Sequence, residues 1–384
     1  MIAILDTGIP LVNGSLYHDD LDDPSRFFLG DDIVGDGNGV KDENGHGSHV
    51  TGIAAAESDN DEGIAGVCWD CSILAVQVLD ENKNGTDDEF LEGVMYAEEE
   101  GGVHIINASL GWSSPTTKIE DAVQHANDND IIVVAAAGNE GTSGGAIIWP
   151  ARYSTSYSNV IAVGATYQND SRASYSSYGS ALNIVAPGGE GGTPNANDIY
   201  STIPGNTYAY KYGTSMAAPH VSGLAGLILS LHPSLAPHEV REIIEVTADD
   251  KGSSGWDQYY GHGRINAYTA VSALIVPNEY STVNAAVNAA GSGDMIVVVG
   301  SSTLTGDIAL PSGVKLVLGS NANLTLNGYY IKSTGGTITR YTGATVTPDI
   351  SVKEDSMLKG LYSTIQSAVN NASSGQIVAI YSDY

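Results

Sequence analysis

Six short runs of almost uninterrupted apolar residues punctuate the first half of the chain, at 2–5, 73–78, 105–108, 131–136, 160–163 and 184–186. A strand with one face in water alternates apolar and polar side chains, whereas a strand that is apolar throughout must be covered on both faces. Between and after these runs lie stretches with helical spacing, at roughly 46–57, 86–100, 117–128, 215–231, 237–247 and 266–274. Thr86 followed by Glu89 is the signature of a capping box at one helix start. The alternation predicts an α/β fold over residues 1–275, a mostly parallel sheet with helices on both faces. Sites in such sheets form beyond the C-terminal ends of the strands, and Asp6 and Asn139 each closely follow an apolar run.

After about residue 276 the texture changes to Gly, Ser, Thr and Asn with short β-rich runs. "YSTVNAAVNAAGSGDMIVVV" at 280–299 matches "YSTIQSAVNNASSGQIVAIY" at 362–381, a repeat with a period of 82 residues. Each copy reads as a short helix, a turn and a strand. The stretch between has short strands and turn residues at near-regular spacing, which suits a β-helix-like solenoid. It resembles the opening of pectate-lyase-type right-handed β-helices. Residues 276–384 are therefore expected to form a separate β-rich region, with a surface-anchoring or glycan-contacting role as its candidate use. "MIAILDTG" begins inside a core strand and the second repeat copy stops at Tyr384, so both ends are expected to be truncated.

Charge narrows the partners. The formal net charge is −30, and residues 1–276 hold 38 of the 45 acids but 10 of the 15 bases. Nucleic acid is excluded as a partner, because phosphate binding needs a basic face. An acidic surface fits a soluble extracellular or salt-tolerant protein. No signal peptide is present, and no apolar run reads as a membrane span. Cys68 and Cys71 are the only cysteines. One C-x-x-C cannot complete a four-ligand zinc site, which leaves a local disulfide or a buried thiol pair.

Four windows carry candidate chemistry. "IAILDTGIP" ends a strand with Asp6, "NGHGSHVTGIAA" sets His46 at a helix start, "VVAAAGNEG" ends a strand with Asn139, and "YGTSMAAPH" sets Ser215 where a loop becomes a helix. Each has a plain structural alternative. Asp6 caps a turn, Asn139 turns a loop, Ser215 caps a helix, and His46 with His49 forms an i, i+3 pair that lacks a third metal ligand. Together, in the order Asp, His, Ser, they resemble the subtilisin-like serine peptidases, the subtilases. The resemblance covers about residues 1–275. It implies a subtilisin-like fold and a secreted or cell-surface serine endopeptidase acting through an acyl-enzyme. Ser215 is then the nucleophile, His46 the general base and Asp6 its orienting carboxylate. Asn139 and the Ser215 backbone N–H form the oxyanion hole.

The same resemblance assigns substrate contacts. Protein or peptide substrates would lie as an extended strand between Ser109, Leu110 and Gly111 on one side and Asn84 and Gly85 on the other. Ala136 and Gly138 would wall the pocket for the residue before the scissile bond, which Ile147 or Ile148 would narrow. A structural calcium ion is expected at Asp20 and Asn60. Asp36, Asn38 and Asp42 have calcium-loop spacing without the closing Glu, and read equally as a solvated acidic turn. A second cation site near Val160 is expected to be weak, with Ala181 and Asn183 where acids often stand. His49 and His220 are expected to pack structurally.

Overall fold

The computed structural model describes residues 1–347, and beyond them the backbone strands Ile350–Glu354, Met357–Tyr362 and Ile377–Ile380. Most of the second repeat copy lies outside the described residues. The chain divides into two units, Met1–Leu231 with Ala236–Asn266, and His232–Leu235 with Ala267–Tyr384.

The first unit holds seven strands: β1 (Ile2–Asp6), β2 (Phe27–Asp32), β3 (Ile73–Gln77), β4 (Ile105–Ala108), β5 (Ile132–Ala136), β6 (Val160–Thr166) and β7 (Ile184–Pro187). They form one sheet in the order β2-β3-β1-β4-β5-β6-β7, and every pairing is parallel. β1, β3, β4, β5 and β6 are buried along their whole length, as the unbroken apolar runs require. β2 was not legible as a strand. It is an edge, largely exposed, and ends in Asp31 and Asp32.

Helices α1 (His46–Ala55), α2 (Asp87–Glu99), α3 (Thr117–Asp128), α4 (Thr214–Leu231) and α5 (Pro237–Val246) follow the expected spans closely. α2 starts with the expected Thr86–Glu89 capping box. α2 and α3 cover one face of the sheet, packing Phe90, Val94, Ile119 and Val123 on Leu5, Val76, Ile106 and Val133. α1 and α4 pack on each other and against the strands. α4 has 18 residues and mean hydropathy 1.2, so it is long and apolar enough to cross a membrane by composition. The sequence reading had found no such run. Here 67% of the helix is buried within the fold, as in a core helix. A hairpin, β8 (Ile199–Ile203) and β9 (Thr207–Lys211), lies against α1. Cys68 and Cys71 form a disulfide.

In the second unit the helix Val283–Ala289 and the strand Met295–Val298 match the helix–turn–strand expected of the first repeat copy. Short strands then stack in parallel columns. Ser301–Thr303, Asn323–Thr325 and Thr345–Thr347 make one, with Ser301 paired to Asn323 and Asn323 to Thr345, an offset of 22 residues each time. Lys315 pairs with Thr337 at the same offset in a second column. Leu316, Leu318, Leu324, Leu326 and Ile331 fill the interior.

Candidate active site

The site begins where β1 ends. Asp6 is fully buried, and its Oδ1 accepts from the Thr7 backbone N–H at 2.8 Å and from His46 Nδ1 at 2.7 Å. His46 is the first residue of α1. Two glycines let the helix start come so close. A Cβ on Gly47 would sit 2.3 Å from the Gly8 carbonyl, and one on Gly8, at φ 109°, would sit 2.5 Å from that of Val40.

Asp42 fixes the same junction, and it is neither a calcium ligand nor a solvated acid. It is 1% exposed. Its Oδ1 accepts from Thr7 Oγ1, Asn44 N–H and Gly45 N–H at 2.7–3.0 Å, and its Oδ2 accepts from the Ser48 N–H and Oγ at 2.8 and 2.6 Å. Thr7 Oγ1 in turn accepts from the Gly47 N–H at 2.9 Å. The turn bearing Asp6 and the helix bearing His46 are thereby locked to one carboxylate. The sequence reading missed this role. Its one signal was an acid three to six residues before a helix's first turn.

Ser215 is the second residue of α4. Gly213 before it has φ 139°, a backbone region that favours glycine. Ser215 Oγ donates to the Ser109 carbonyl at 3.1 Å, and Ser109 Oγ donates to the Ser215 carbonyl at 2.9 Å. Pro219 explains why that carbonyl is free. It has no N–H to return to the residue four positions earlier. Behind Ser109, Asn107 Nδ2 donates to Ser109 Oγ, and Ser222 Oγ donates to Asn107 Oδ1. Asn139 uses its Oδ1 to accept from the Thr214 N–H at 2.9 Å and Oγ1 at 3.1 Å, which leaves its NH₂ as a donor.

His46, Ser109, Leu110, Gly111, Gly85 and Ser215 line one cleft of about 240 Å³, together with Leu79, Lys83 and Trp112. Asn84 does not line it. Its N–H and Nδ2 are turned back onto Asp80 at 2.8 and 3.1 Å. Ala136 and Gly138 lie beyond the cleft lining. Gly138 donates its N–H to Thr214 Oγ1 at 3.1 Å. Ile148, rather than the buried Ile147, fills the space against Gly111 and Gly138, where added Cβ atoms would meet it at 2.6 and 3.0 Å.

Two other histidines hydrogen-bond within the fold. His49, buried one helical turn after His46, has Nε2 3.0 Å from the carbonyls of both Ile199 and Ala209. Burial drives its pKa down to about 3, and Lys211 and His46 nearby add to the fall. Burial lowers the pKa of His220 as well, and its Nδ1 lies 2.8 Å from the Met216 carbonyl. Asn183 bridges β6 and α5, its Oδ1 accepting from Ala162 N–H and its Nδ2 donating to Glu245.

Asp20 and Asn60 do meet, through Asn60 Nδ2 donating to Asp20 Oδ1 at 2.9 Å, while Asp20 Oδ2 accepts from the Ile64 N–H at 3.0 Å. The Asp19 carbonyl is 3.3 Å from the same Nδ2. A carboxylate, a side-chain amide and a backbone carbonyl are the donor types calcium takes, once the Asn60 amide turns its oxygen inward. Among the described residues no group of three or more His, Cys, Asp or Glu could hold a metal.

Residues 1–263 match the model of the subtilase family. A thermophilic serine proteinase of Bacillus sp. (strain AK1) is 45% identical over 271 residues, 71% of this chain and 61% of that protein. Thermitase of Thermoactinomyces vulgaris is 42% identical over 270 residues, 70% of this chain and 88% of that protein. Among solved structures, a protease from Pseudoalteromonas arctica PAMC 21717 superposes with a TM-score of 0.60 at 30% identity, over 70% of this chain and 88% of that one.

Proposed function

From the premise that this chain belongs to the subtilase family and carries a subtilisin-like serine protease domain, we propose that Asp6, His46 and Ser215 are its catalytic triad. The observation that carries the reading is the 2.7 Å hydrogen bond from His46 to the buried Asp6, in a histidine that lines the same cleft as Ser215.

The proposed steps run from these residues. The peptide lies as an extended strand against Ser109–Gly111, with Gly85 opposite. Rotation about the Ser215 Cα–Cβ bond swings Oγ from the Ser109 carbonyl towards His46, a small adjustment of the kind apo sites commonly need. His46 takes the hydroxyl proton as Oγ attacks the scissile carbonyl, and Asp6 stabilises the imidazolium. The Asn139 NH₂ and the Ser215 backbone N–H bind the oxyanion. His46 then protonates the leaving amine, and water hydrolyses the acyl-enzyme by the same steps reversed.

Fluorophosphonate labelling tests this. The chain should label, Ser215→Ala should not, and Asp6→Asn should label far more slowly. Labelling that survives Ser215→Ala would sink the assignment.

Calcium at Asp20 and Asn60 enters as a stabilising ion remote from the chemistry, and thermal unfolding with and without chelator reads it. The second unit is proposed as a β-helix-like solenoid following the peptidase region, and extracellular or cell-surface action as the setting. Its 22-residue strand offset supports the solenoid. Glycan or cell-wall contact through that unit is a proposal that a polysaccharide pull-down would check.

A further inference from the structure

The first unit is strongly acidic, yet its few cations are not scattered. Of the ten Lys and Arg in residues 1–276, six are paired with carboxylates: Arg26, Lys41, Lys118, Arg241, Lys251 and Arg264. Two more, Arg152 and Arg172, lie over aromatic rings. Of these ten only Lys83 and Lys211 have no such partner, and Lys83 is at the cleft. Lys83 lines it with His46 and Ser215. Lys211 is half-buried at the end of β9, four residues before Ser215.

Two further observations set these positions apart. Among the described residues the seven other non-glycine residues at positive φ are all Asn or Asp, the types that tolerate it; Lys83, at φ 63°, departs from that pattern. Lys211 feels the charges of Asp42 and Asp6, but neither answers it. Asp42 is saturated by five protein donors, and Asp6 is turned to His46. Burial and the like charge of Lys83 both lower the Lys211 pKa, so the two ammonium groups sense one another.

The two lysines stand on different elements, Lys83 in the loop before α2 and Lys211 at the end of β9. Lys83 lines the cleft together with Gly85, Leu110 and Trp112. β9 lies on the side of α1, where the hairpin is tied through Ser201 Oγ to the His49 carbonyl and Thr202 Oγ1 to that of Ser48. That is the helix of His46, towards which the leaving amine departs.

Resting on the triad reading above, we propose that Lys83 and Lys211 make this enzyme select peptides with Asp or Glu close to the scissile bond. Lys83 would meet an acidic side chain two to four residues before the cleaved bond, and Lys211 one at the first or second residue after it. An unpaired ammonium in a cleft of an otherwise acidic surface is a local reversal of potential, and a substrate carboxylate relieves both the repulsion and the missing partner.

The test is a set of fluorogenic peptides, identical except for Glu, Gln or Lys at one position before or after the bond. The expected Glu-to-Gln ratio in kcat/KM is about three- to tenfold on each side, expressed mainly in KM, and it should shrink between 50 and 500 mM salt. Lys83→Glu should invert the ratio before the bond only, and Lys211→Glu the ratio after it only. Each ratio is taken within one protein, so a change in the folded fraction cancels; if a variant does not fold, the salt dependence of the wild-type ratio decides. Normal turnover of the Gln peptide with ratios near one overturns this proposal and leaves the triad standing. Absence of turnover and of fluorophosphonate labelling overturns both.

Discussion

The two units of this chain solve folding in opposite ways. In the first, the groups that matter come from far apart: Asp6 meets His46 across 40 residues, and Ser109 meets Ser215 across 106. In the second, strand follows strand, and Ser301, Asn323 and Thr345 stack at a constant step of 22 residues. A parallel sheet crossed by helices brings many loops to one edge, which is what a catalytic site needs. A repeat spreads similar side chains along a surface and brings no such set together.

The largest expected contrast is catalytic. Ser215→Ala should lower kcat by about a millionfold, as removal of the nucleophile does in this kind of triad. Asn323→Ala, in the repeat, should leave kcat/KM within about twofold. A comparable loss from the repeat substitution would break the comparison.

Asn139→Ala should cost about a hundred- to a thousandfold in kcat with little change in KM, because its NH₂ is needed only when the oxyanion forms. Steady-state kinetics on a peptide substrate reads the split, and a loss confined to KM would count against an oxyanion role.

Stability should divide in the same way. Leu324 is 1% exposed inside the second unit, and Leu324→Ala should destabilise that unit by about 3 kcal/mol. Calorimetry should then move one transition and leave the other. Two transitions moving equally would mean that the units unfold as one.

The smallest effect is a pH slope. His49 is held neutral by burial, with its pKa down to about 3 against an ordinary value of 6.5. The unfolded chain therefore binds the extra proton first, and stability is lost as pH falls below about 6.5 towards 3. The slope is about 1.4 kcal/mol per pH unit for this group. Chemical denaturation of Ser215→Ala at pH 7, 6 and 5 checks the sign without self-digestion. His49→Asn, compared over the same range, should flatten part of it.

How much of this was legible follows from what a linear pattern can carry. Six of the seven main strands announced themselves because burial on two faces leaves unbroken apolar runs. β2 did not, because an edge strand ending in Asp31 and Asp32 looks like a loop. The hairpin of β8 and β9 was hidden by its mixture of Ser, Thr and Tyr. Asp6, His46, Asn139 and Ser215 stood out because each sits where a strand ends or a helix begins. Asp42 did not: an acid inside "GDGNGVKDENG" shows nothing of the five donors that surround it. The lysines were equally silent, since only the pairing of the first unit's eight other cations makes these two visible.

The mutual hydrogen bonds between Ser109 and Ser215 set a tolerance. The segment proposed to align the substrate and the residue proposed to attack it are joined by two bonds of about 3 Å, not by a path through the sheet and back along α4. Slow breathing of the fold therefore carries both together as a common-mode movement. The error that matters for reaction is only the differential one, and it is confined to the slack in those two bonds. Pro219, by leaving one carbonyl without its helical donor, is the sequence position that makes this alignment possible.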